Sequence, residues 1–107
     1  MRKQGPLVST LALFSAVALA EPEAQRQTEL LHLLRHDCGS CHGLTLSGGL
    51  GPPLTSQALA GRSREGLIAT IRYGLPGTPM PPWSGLLSDD DVNWLVDAML
   101  EGVKHHD

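Results

Sequence analysis

The sequence predicts a small all-α domain, and three observations support this class. Three segments carry apolar residues three and four positions apart, a spacing that gives a helix one buried face. No stretch alternates apolar and polar residues in the way a strand requires. Two long segments rich in Gly and Pro, residues 43–61 and 74–87, separate the helical ones. We therefore expect three or four helices joined by loops, and loops of this length usually serve a site.

The first helix is predicted over Ala24–His36. Leu30, Leu31 and Leu34 recur at helical spacing, and Gln27 shares their face. We expect this face to be buried against the other helices, because an amphipathic helix is stabilised mainly by packing its apolar side.

The second helix is predicted to begin after Ser63, whose hydroxyl can cap the first turn, and to end at Gly74. Leu67, Ile68 and Ile71 form its apolar stripe, which is narrow. These three side chains are expected to point inward.

The third helix is predicted to begin at Ser88, whose hydroxyl can accept from the amides near Asp91. Three acidic residues in its first turn complement the helix dipole, and Gly102 ends it. The predicted buried face consists of Val92, Leu95, Val96 and Met99, with Trp94 at its edge.

Residues 1–20 have the three parts of an export signal. These are a basic start, an apolar stretch over residues 7–19 and a small-residue cleavage site, Ala18-Leu19-Ala20. The sequence therefore predicts export to the periplasm and a mature domain of residues 21–107. The apolar stretch is short for a membrane span, and an uncleaved anchor is the alternative.

The predicted mature chain is acidic and small. It has 87 residues, with six Lys or Arg against eleven Asp or Glu. This balance argues against binding nucleic acid and suits a partner with a basic docking patch, although solubility alone explains it equally well. So small a chain allows only a modest core, so a cofactor or cross-link is expected to help hold it together. We expect a monomer without stable membrane association.

Residues 38–42 read C-x-x-C-H, the pattern by which c-type haem is attached. Residues three apart at a helix end share a face, so Cys38 and Cys41 can both reach one haem edge. His42 would then turn its ring toward the iron. One covalent haem c, with its iron, is the predicted cofactor.

The two cysteines of this motif have three alternative functions. A thioredoxin-like dithiol would lie beside a strand in a β-α-β unit, and the sequence shows none. A zinc site would need further ligands at suitable spacing. A structural disulfide is the third alternative, because exported proteins can form one.

Met80 is the best candidate for the sixth iron ligand. It lies between prolines in the loop over residues 77–83, with no helix face to fill, whereas Met99 falls on a predicted buried stripe. A thioether opposite an imidazole raises the reduction potential. His32 and His36 are the rival ligands, but solvent-exposed positions are expected for both.

Several neighbours are candidates for lining the haem. The carbonyl of Pro52 can accept from the second ring nitrogen of His42, or the segment is an ordinary stiff turn. Trp83 is expected in the haem crevice because it follows the Met80 loop, while Tyr73 and Trp94 either line the crevice or close the core. The candidates for pairing with a haem propionate are Arg62, Arg64 and Arg72.

The chain resembles the class I monohaem cytochromes c. The C-x-x-C-H motif follows a first helix, Gly51-Pro52 lies downstream, and Met80-Pro81 precedes a final helix. The resemblance covers residues 27–102 and implies a cytochrome c fold wrapped around one covalent haem. The spacing of 38 residues from His42 to Met80 is compact, so we expect the middle to lack the extra helix of longer members.

Within that class, residues 38–52 and 76–83 look like small periplasmic cytochromes of denitrifying bacteria. Those proteins accompany the cytochrome-type nitrite reductase and the genes that build its haem d. The resemblance implies an electron donor to that reductase, or a redox helper in making or inserting haem d. A small haem peroxidase is the enzyme alternative, for which no distal acid or base is evident unless His32 serves.

Overall fold

The computed structural model describes residues 4–7, 9–10, 12 and 21–104. Over these residues the regular structure is helical and contains no strand, so the predicted all-α class is confirmed. In chain order the elements are α1 (Ala24–Leu33), a π-helical segment (Leu34–Cys38), α2 (Gly39–His42), α3 (Ser56–Leu59), α4 (Arg64–Tyr73) and α5 (Asp89–Glu101).

The predicted export signal lies largely outside the described residues, and its cleavage site at residues 18–20 lies wholly outside them. Within the described part of the chain, no helix has the length and apolar character needed to cross a membrane.

The first helix is longer than predicted. Its expected end at His36 is wrong, because α1 continues through the π-helical segment into α2 and stops only at Gly43, where φ is 91°. In the π-helical segment the Gly39 N–H donates to the Leu34 carbonyl, five residues back. No strong stop signal precedes Gly43, and the helix therefore carries the whole C-x-x-C-H motif on one continuous rod.

The buried face of this rod also differs from the prediction in one position. Leu30 and Leu34 are buried, whereas Leu31 is 40% exposed. Leu33, which was not predicted, packs half-buried against the core instead. Since successive helical residues are about 100° apart, the rotation that buries Leu30 and Leu34 turns Leu31 toward solvent. The Gln27 side chain is half-buried.

The caps of the two later helices are confirmed. The Ser63 hydroxyl accepts from the Gly66 N–H at 3.0 Å, at the start of α4. At α5, Ser88 and Asp91 form a reciprocal capping box with both hydrogen bonds at 3.1 Å. Gly102 ends α5 with φ at 97°.

The middle of the chain contains a helix that was not expected. Thr55 caps α3, its hydroxyl accepting from the Ala58 N–H at 3.2 Å. This single turn buries Leu59 against α5 and the core. This four-residue helix is short enough to fit between His42 and Met80. Isolated helices of this length are unstable, so α3 depends on the burial of Leu59.

The hydrophobic core is centred on α5. Its four predicted inward residues are all buried, with Val92 and Val96 fully inaccessible to solvent. They pack with Leu30 and Leu34 of the first helix. The remaining buried residues come from α3 and the loops: Leu46, Leu59 and Leu87. Complete burial of each such side chain contributes about 1.5–3 kcal/mol.

Three arginine–aspartate pairs connect other helices to α5 among the described residues, and two of them are bidentate. Arg26 of α1 reaches Asp91 at 2.9 and 3.3 Å, and Arg64 of α4 reaches Asp97 at 2.7 and 3.0 Å. Both arginines donate two hydrogen bonds to one carboxylate, the arrangement that gives such pairs their directionality. The hydrogen bonds from Arg26 and Arg64 lower the pKa values of Asp91 and Asp97, respectively.

Candidate functional site

The two motif cysteines occupy the end of the first rod. Cys38 ends the π-helical segment and is half-buried against the core, while Cys41 in α2 is exposed. The two sulfurs are not joined in a disulfide. Burial, with a smaller contribution from Asp37, raises the pKa of Cys38 to about 11. In the chain without haem, Cys38 is therefore a neutral thiol at ordinary pH.

The His42 ring is held in one orientation by the loop that follows it. Its Nδ1 lies 2.7 Å from the Pro52 carbonyl oxygen, the contact that the sequence predicted. Because a carbonyl only accepts, this hydrogen bond places the ring proton on Nδ1. The Nε2 lone pair is thereby left for a metal, and such an outer hydrogen bond is typical of metal-binding histidines.

Gly51 allows this close approach between loop and ring. Its N–H donates to the Cys41 carbonyl at 2.7 Å, which draws the loop back over the helix end. A side chain at this position would place its Cβ 2.8 Å from the His42 Nδ1 and Cε1 atoms. The backbone therefore passes directly against the imidazole, at a distance that only glycine allows.

Leu46 anchors the same loop and was not recognised from the sequence. It is buried, although its φ of 59° is unusual for a residue with a side chain. Its N–H donates to Gly43 and its carbonyl accepts from Leu54, both at 2.8 Å. Burial of this leucine fastens the loop to the core, and no local sequence signal distinguishes it from the exposed Leu44 and Leu50.

The backbone of Met80 is fastened to the end of α4. Its carbonyl accepts from the Leu75 N–H at 3.2 Å, and its own N–H donates to the Thr78 hydroxyl at 3.3 Å. Gly74 is buried with φ at 70°, and a Cβ there would lie 2.8 Å from the Met80 carbonyl oxygen. The methionine is half-buried in a loop whose course is set by these contacts.

The three candidate aromatic residues lie in different environments. Trp83 is half-buried against the core and follows the Met80 loop, its N–H donating to the Ile71 carbonyl of α4 at 2.9 Å. Trp94 is half-buried against the core on α5 and also lines a groove with Arg64. Tyr73 is 63% exposed, so it does not close the core.

The three arginines that are candidates for pairing with a propionate differ in exposure and in hydrogen bonding. Arg62 is exposed, and the guanidinium of Arg64 is engaged with Asp97. Arg72 donates to Asp89 through Nη2 at 3.0 Å, while its buried Nε has no hydrogen-bond partner among the described atoms. Among the three, Arg72 is therefore the arginine with a buried and unsatisfied donor.

The rival histidine ligands lie together on the surface. His32 and His36 are exposed, as expected, with ring centroids 4.2 Å apart.

The donor set fits a covalent haem. Two thiols and a histidine of fixed tautomer share one helical rod, and the apolar side chains of α4 are half-buried rather than enclosed. An all-α domain with this arrangement defines a c-type cytochrome.

Residues 25–97 match the family described as cytochrome C oxidase, cbb3-type, subunit III, and the chain belongs to this family of c-type cytochromes. It is 64% identical over 81 residues to cytochrome c55X of Pseudomonas aeruginosa, covering 76% of this chain and 68% of that protein. It is 53% identical over 98 residues to cytochrome c55X of Stutzerimonas stutzeri, covering 92% of this chain and 87% of that protein.

Solved structures give the same result. The c-type cytochrome NirC matches with a TM-score of 0.74 and 64% identity over 75% of this chain and 94% of its own. The dihydro-heme d1 dehydrogenase NirN, in complex with DHE, matches with a TM-score of 0.64 and 28% identity over 72% of this chain and 17% of its own. The predicted monohaem cytochrome c resembling those of denitrifiers is confirmed. The protein carries covalent haem c with its iron and functions in electron transfer.

Proposed function

We propose that the chain is an exported, periplasmic electron carrier of denitrification whose iron is ligated by His42 and Met80. Cys38 and Cys41 attach the ring through thioether bonds. The main observation that supports this proposal is the 2.7 Å hydrogen bond from His42 Nδ1 to the Pro52 carbonyl, because it leaves Nε2 as the coordinating atom. When bound, the haem supplies a single-electron couple between ferric and ferrous iron.

Met80 determines whether the protein acts as a carrier or an enzyme. A thioether on the iron occupies the position that peroxide or another ligand would need. The backbone contacts to Leu75 and Thr78 hold the methionine before it ligates, so little ordering is required for the bond. With His42 and Met80 as its two protein ligands, the haem would pass electrons and would not transform a substrate.

Optical spectra of the haem-loaded protein test this ligation. We expect the ferric parent to show the weak absorption band of a methionine–iron bond, and the ferrous parent to bind no carbon monoxide. Met80→Ala should lose the band and gain carbon monoxide binding. Met99→Leu is the matched control, since Met99 is buried on α5 and should leave both properties unchanged. Carbon monoxide binding by the parent, or rapid peroxide turnover, would instead favour the peroxidase alternative.

Export can be tested from the mature N-terminus. Cleavage after Ala20 would leave Glu21 as the first residue. Mass spectrometry of the haem-loaded protein from a periplasmic extract should therefore give a chain of 87 residues plus one haem. A chain that retains residues 1–20 in the membrane fraction would support the uncleaved anchor. The same preparation should elute as a monomer.

The proposed electron acceptor is a nitrite reductase with a basic docking surface. Support comes from the acidic balance of residues 21–107 and from the likeness to NirC. The rate of electron transfer to such a reductase should fall as ionic strength rises, because opposite charges steer the encounter. A rate independent of salt would remove the electrostatic part of the proposal.

A second candidate role is supported by the likeness to dihydro-heme d1 dehydrogenase NirN. A dehydrogenation releases two electrons and two protons, and a carrier with one haem would remove the electrons in two successive encounters. In this role the protein is a redox helper in making or inserting haem d. If deleting the gene leaves a reductase that contains haem d but is reduced slowly, the donor role holds. A reductase without haem d would identify the assembly role.

A further inference from the structure

Two histidines outside the haem motif lie side by side on the first helical rod. His32 belongs to α1 and His36 to the π-helical segment. Both are exposed, their ring centroids are 4.2 Å apart and their planes are inclined by 44°. Helical residues four apart project from the same side, so both imidazoles face solvent together.

The separation of the two rings is close to that required for shared coordination of one ion. Zinc–nitrogen bonds of about 2.0–2.1 Å place each ring centroid about 3.2 Å from the metal, and a tetrahedral angle separates the centroids by about 5 Å. The observed separation of 4.2 Å is within about 1 Å of that value. Rotation of two exposed side chains supplies the difference without moving the helix.

The surroundings of the pair select the kind of ion. His32 and His36 line a cavity of about 240 Å³ whose other walls include Leu46, Val103, Arg35 and Lys104. The positive charge of Lys104 disfavours a cation held by charge alone, as Ca²⁺ and Mg²⁺ are. Metals bound through imidazole nitrogen, such as Zn²⁺, Ni²⁺ and Cu²⁺, form stronger directional bonds that can overcome this repulsion.

We infer that His32 and His36 form a bidentate site for a divalent first-row transition metal that prefers imidazole, with water in its other coordination positions. Among the described residues there is no group of three or more His, Cys, Asp or Glu side chains that could hold a metal. The described residues therefore supply two ligands to this site, and the remaining coordination positions are left to exchangeable water.

The metal would also link α1 to the π-helical segment. His32 lies before the change in helical pitch and His36 after it. An ion bound to both rings would stabilise the folded rod, since the unfolded chain does not hold the two imidazoles together. The midpoint of thermal unfolding should therefore rise when Zn²⁺ is added. This measurement does not depend on electron transfer.

Calorimetric titration of the haem-loaded protein with Zn²⁺ tests the inference. The haem-loaded form is required because free Cys38 and Cys41 thiols would bind zinc themselves, a point that rests on the proposed haem attachment. We expect one Zn²⁺ per chain, no binding of Ca²⁺, and a loss of affinity of about tenfold or more in His32→Gln and in His36→Gln. The thermal midpoint should rise with Zn²⁺ in the parent but not in the double variant.

The matched control is His105→Gln/His106→Gln, which removes two other histidines that lie outside the described residues. Its affinity for Zn²⁺ should equal that of the parent. The haem spectrum of every variant should be unchanged, because both substituted helical histidines are exposed. Parent-like zinc affinity in the His32→Gln/His36→Gln protein would overturn the inference, and so would a loss of affinity confined to the control.

Discussion

Helices α4 and α5 have similar amphipathic patterns but different environments. On α5, four apolar residues are buried in the core, whereas no residue of α4 is buried. Leu67, Ile68 and Ile71 of α4 touch the core and remain half-exposed. Periodicity therefore identifies the apolar face of a helix but does not show how completely other protein atoms cover it.

The haem site that we propose for this domain would explain this difference. Helix α5 packs against α1, α3 and α4, so its apolar face is enclosed by protein. Helix α4 leads into the Met80 loop, and its Ile71 carbonyl holds Trp83 of that loop. Its apolar side therefore belongs to the part of the molecule where we propose that the haem lies.

The largest expected loss of stability comes from shortening a side chain on the enclosed apolar face of α5. Leu95→Ala on α5 should lower the free energy of unfolding by about 2–5 kcal/mol, because Leu95 is 2% exposed and its removal leaves a cavity. Leu67→Ala on α4 is the matched substitution and should cost about 1–2 kcal/mol, since solvent already reaches that side chain. Urea denaturation of both variants measures the contrast. Equal losses would show that the two faces are equally buried.

The next effect concerns the ionic contact of α5. Asp91→Asn should cost about 1–3 kcal/mol, because it removes the charged partner of Arg26 and weakens the capping box with Ser88. Asp90→Asn in the same helical turn is the control and should cost less than about 1 kcal/mol, as it changes only the interaction with the helix dipole. Thermal or urea unfolding compares the two, and similar losses would contradict the importance of the Arg26 contact.

The paired aspartates also predict a dependence of stability on pH. Hydrogen bonds from Arg26 and Arg64 lower the pKa values of Asp91 and Asp97 in the folded state, so folding favours the ionised carboxylates. Their stabilisation is complete above the unfolded pKa of about 3.9 and is lost as pH falls through the lower folded values. Urea midpoints measured at decreasing pH should fall less steeply in Asp91→Asn/Asp97→Asn. An unchanged slope would show that these pairs do not contribute.

The smallest expected effect comes from the helix caps. Ser63→Ala removes one hydrogen bond to the Gly66 N–H at the start of α4 and should cost about 0.5–1 kcal/mol. Ser88→Ala on α5 should cost about 1–2 kcal/mol, because its cap lies in a reciprocal box at the edge of the core. Urea denaturation of the two variants gives the two losses in the free energy of unfolding and hence their ratio. A larger cost at Ser63 would reverse the comparison between the two helices.

Local signals predicted the later helices well and the first helix less well. Serine caps and glycine stops lie within a few residues of the ends they determine, so both boundaries of α4 and α5 were readable. The first helix has no such stop after His36, and the change to π-helical pitch at Leu34 has no comparable local marker. The half-buried position of Leu33 and the exposed position of Leu31 depend on how the rod is rotated against α5.

The sequence by itself determined the class of the fold, the haem-attachment motif and the cap residues, because each depends on groups close together along the chain. The tertiary structure decided what required distant segments to meet. It placed the Pro52 carbonyl on His42, anchored the intervening loop through Leu46, and left Arg72 with a buried donor. The physical reason is that burial and long-range hydrogen bonds depend on the packing of whole elements, which local residue preferences constrain only weakly.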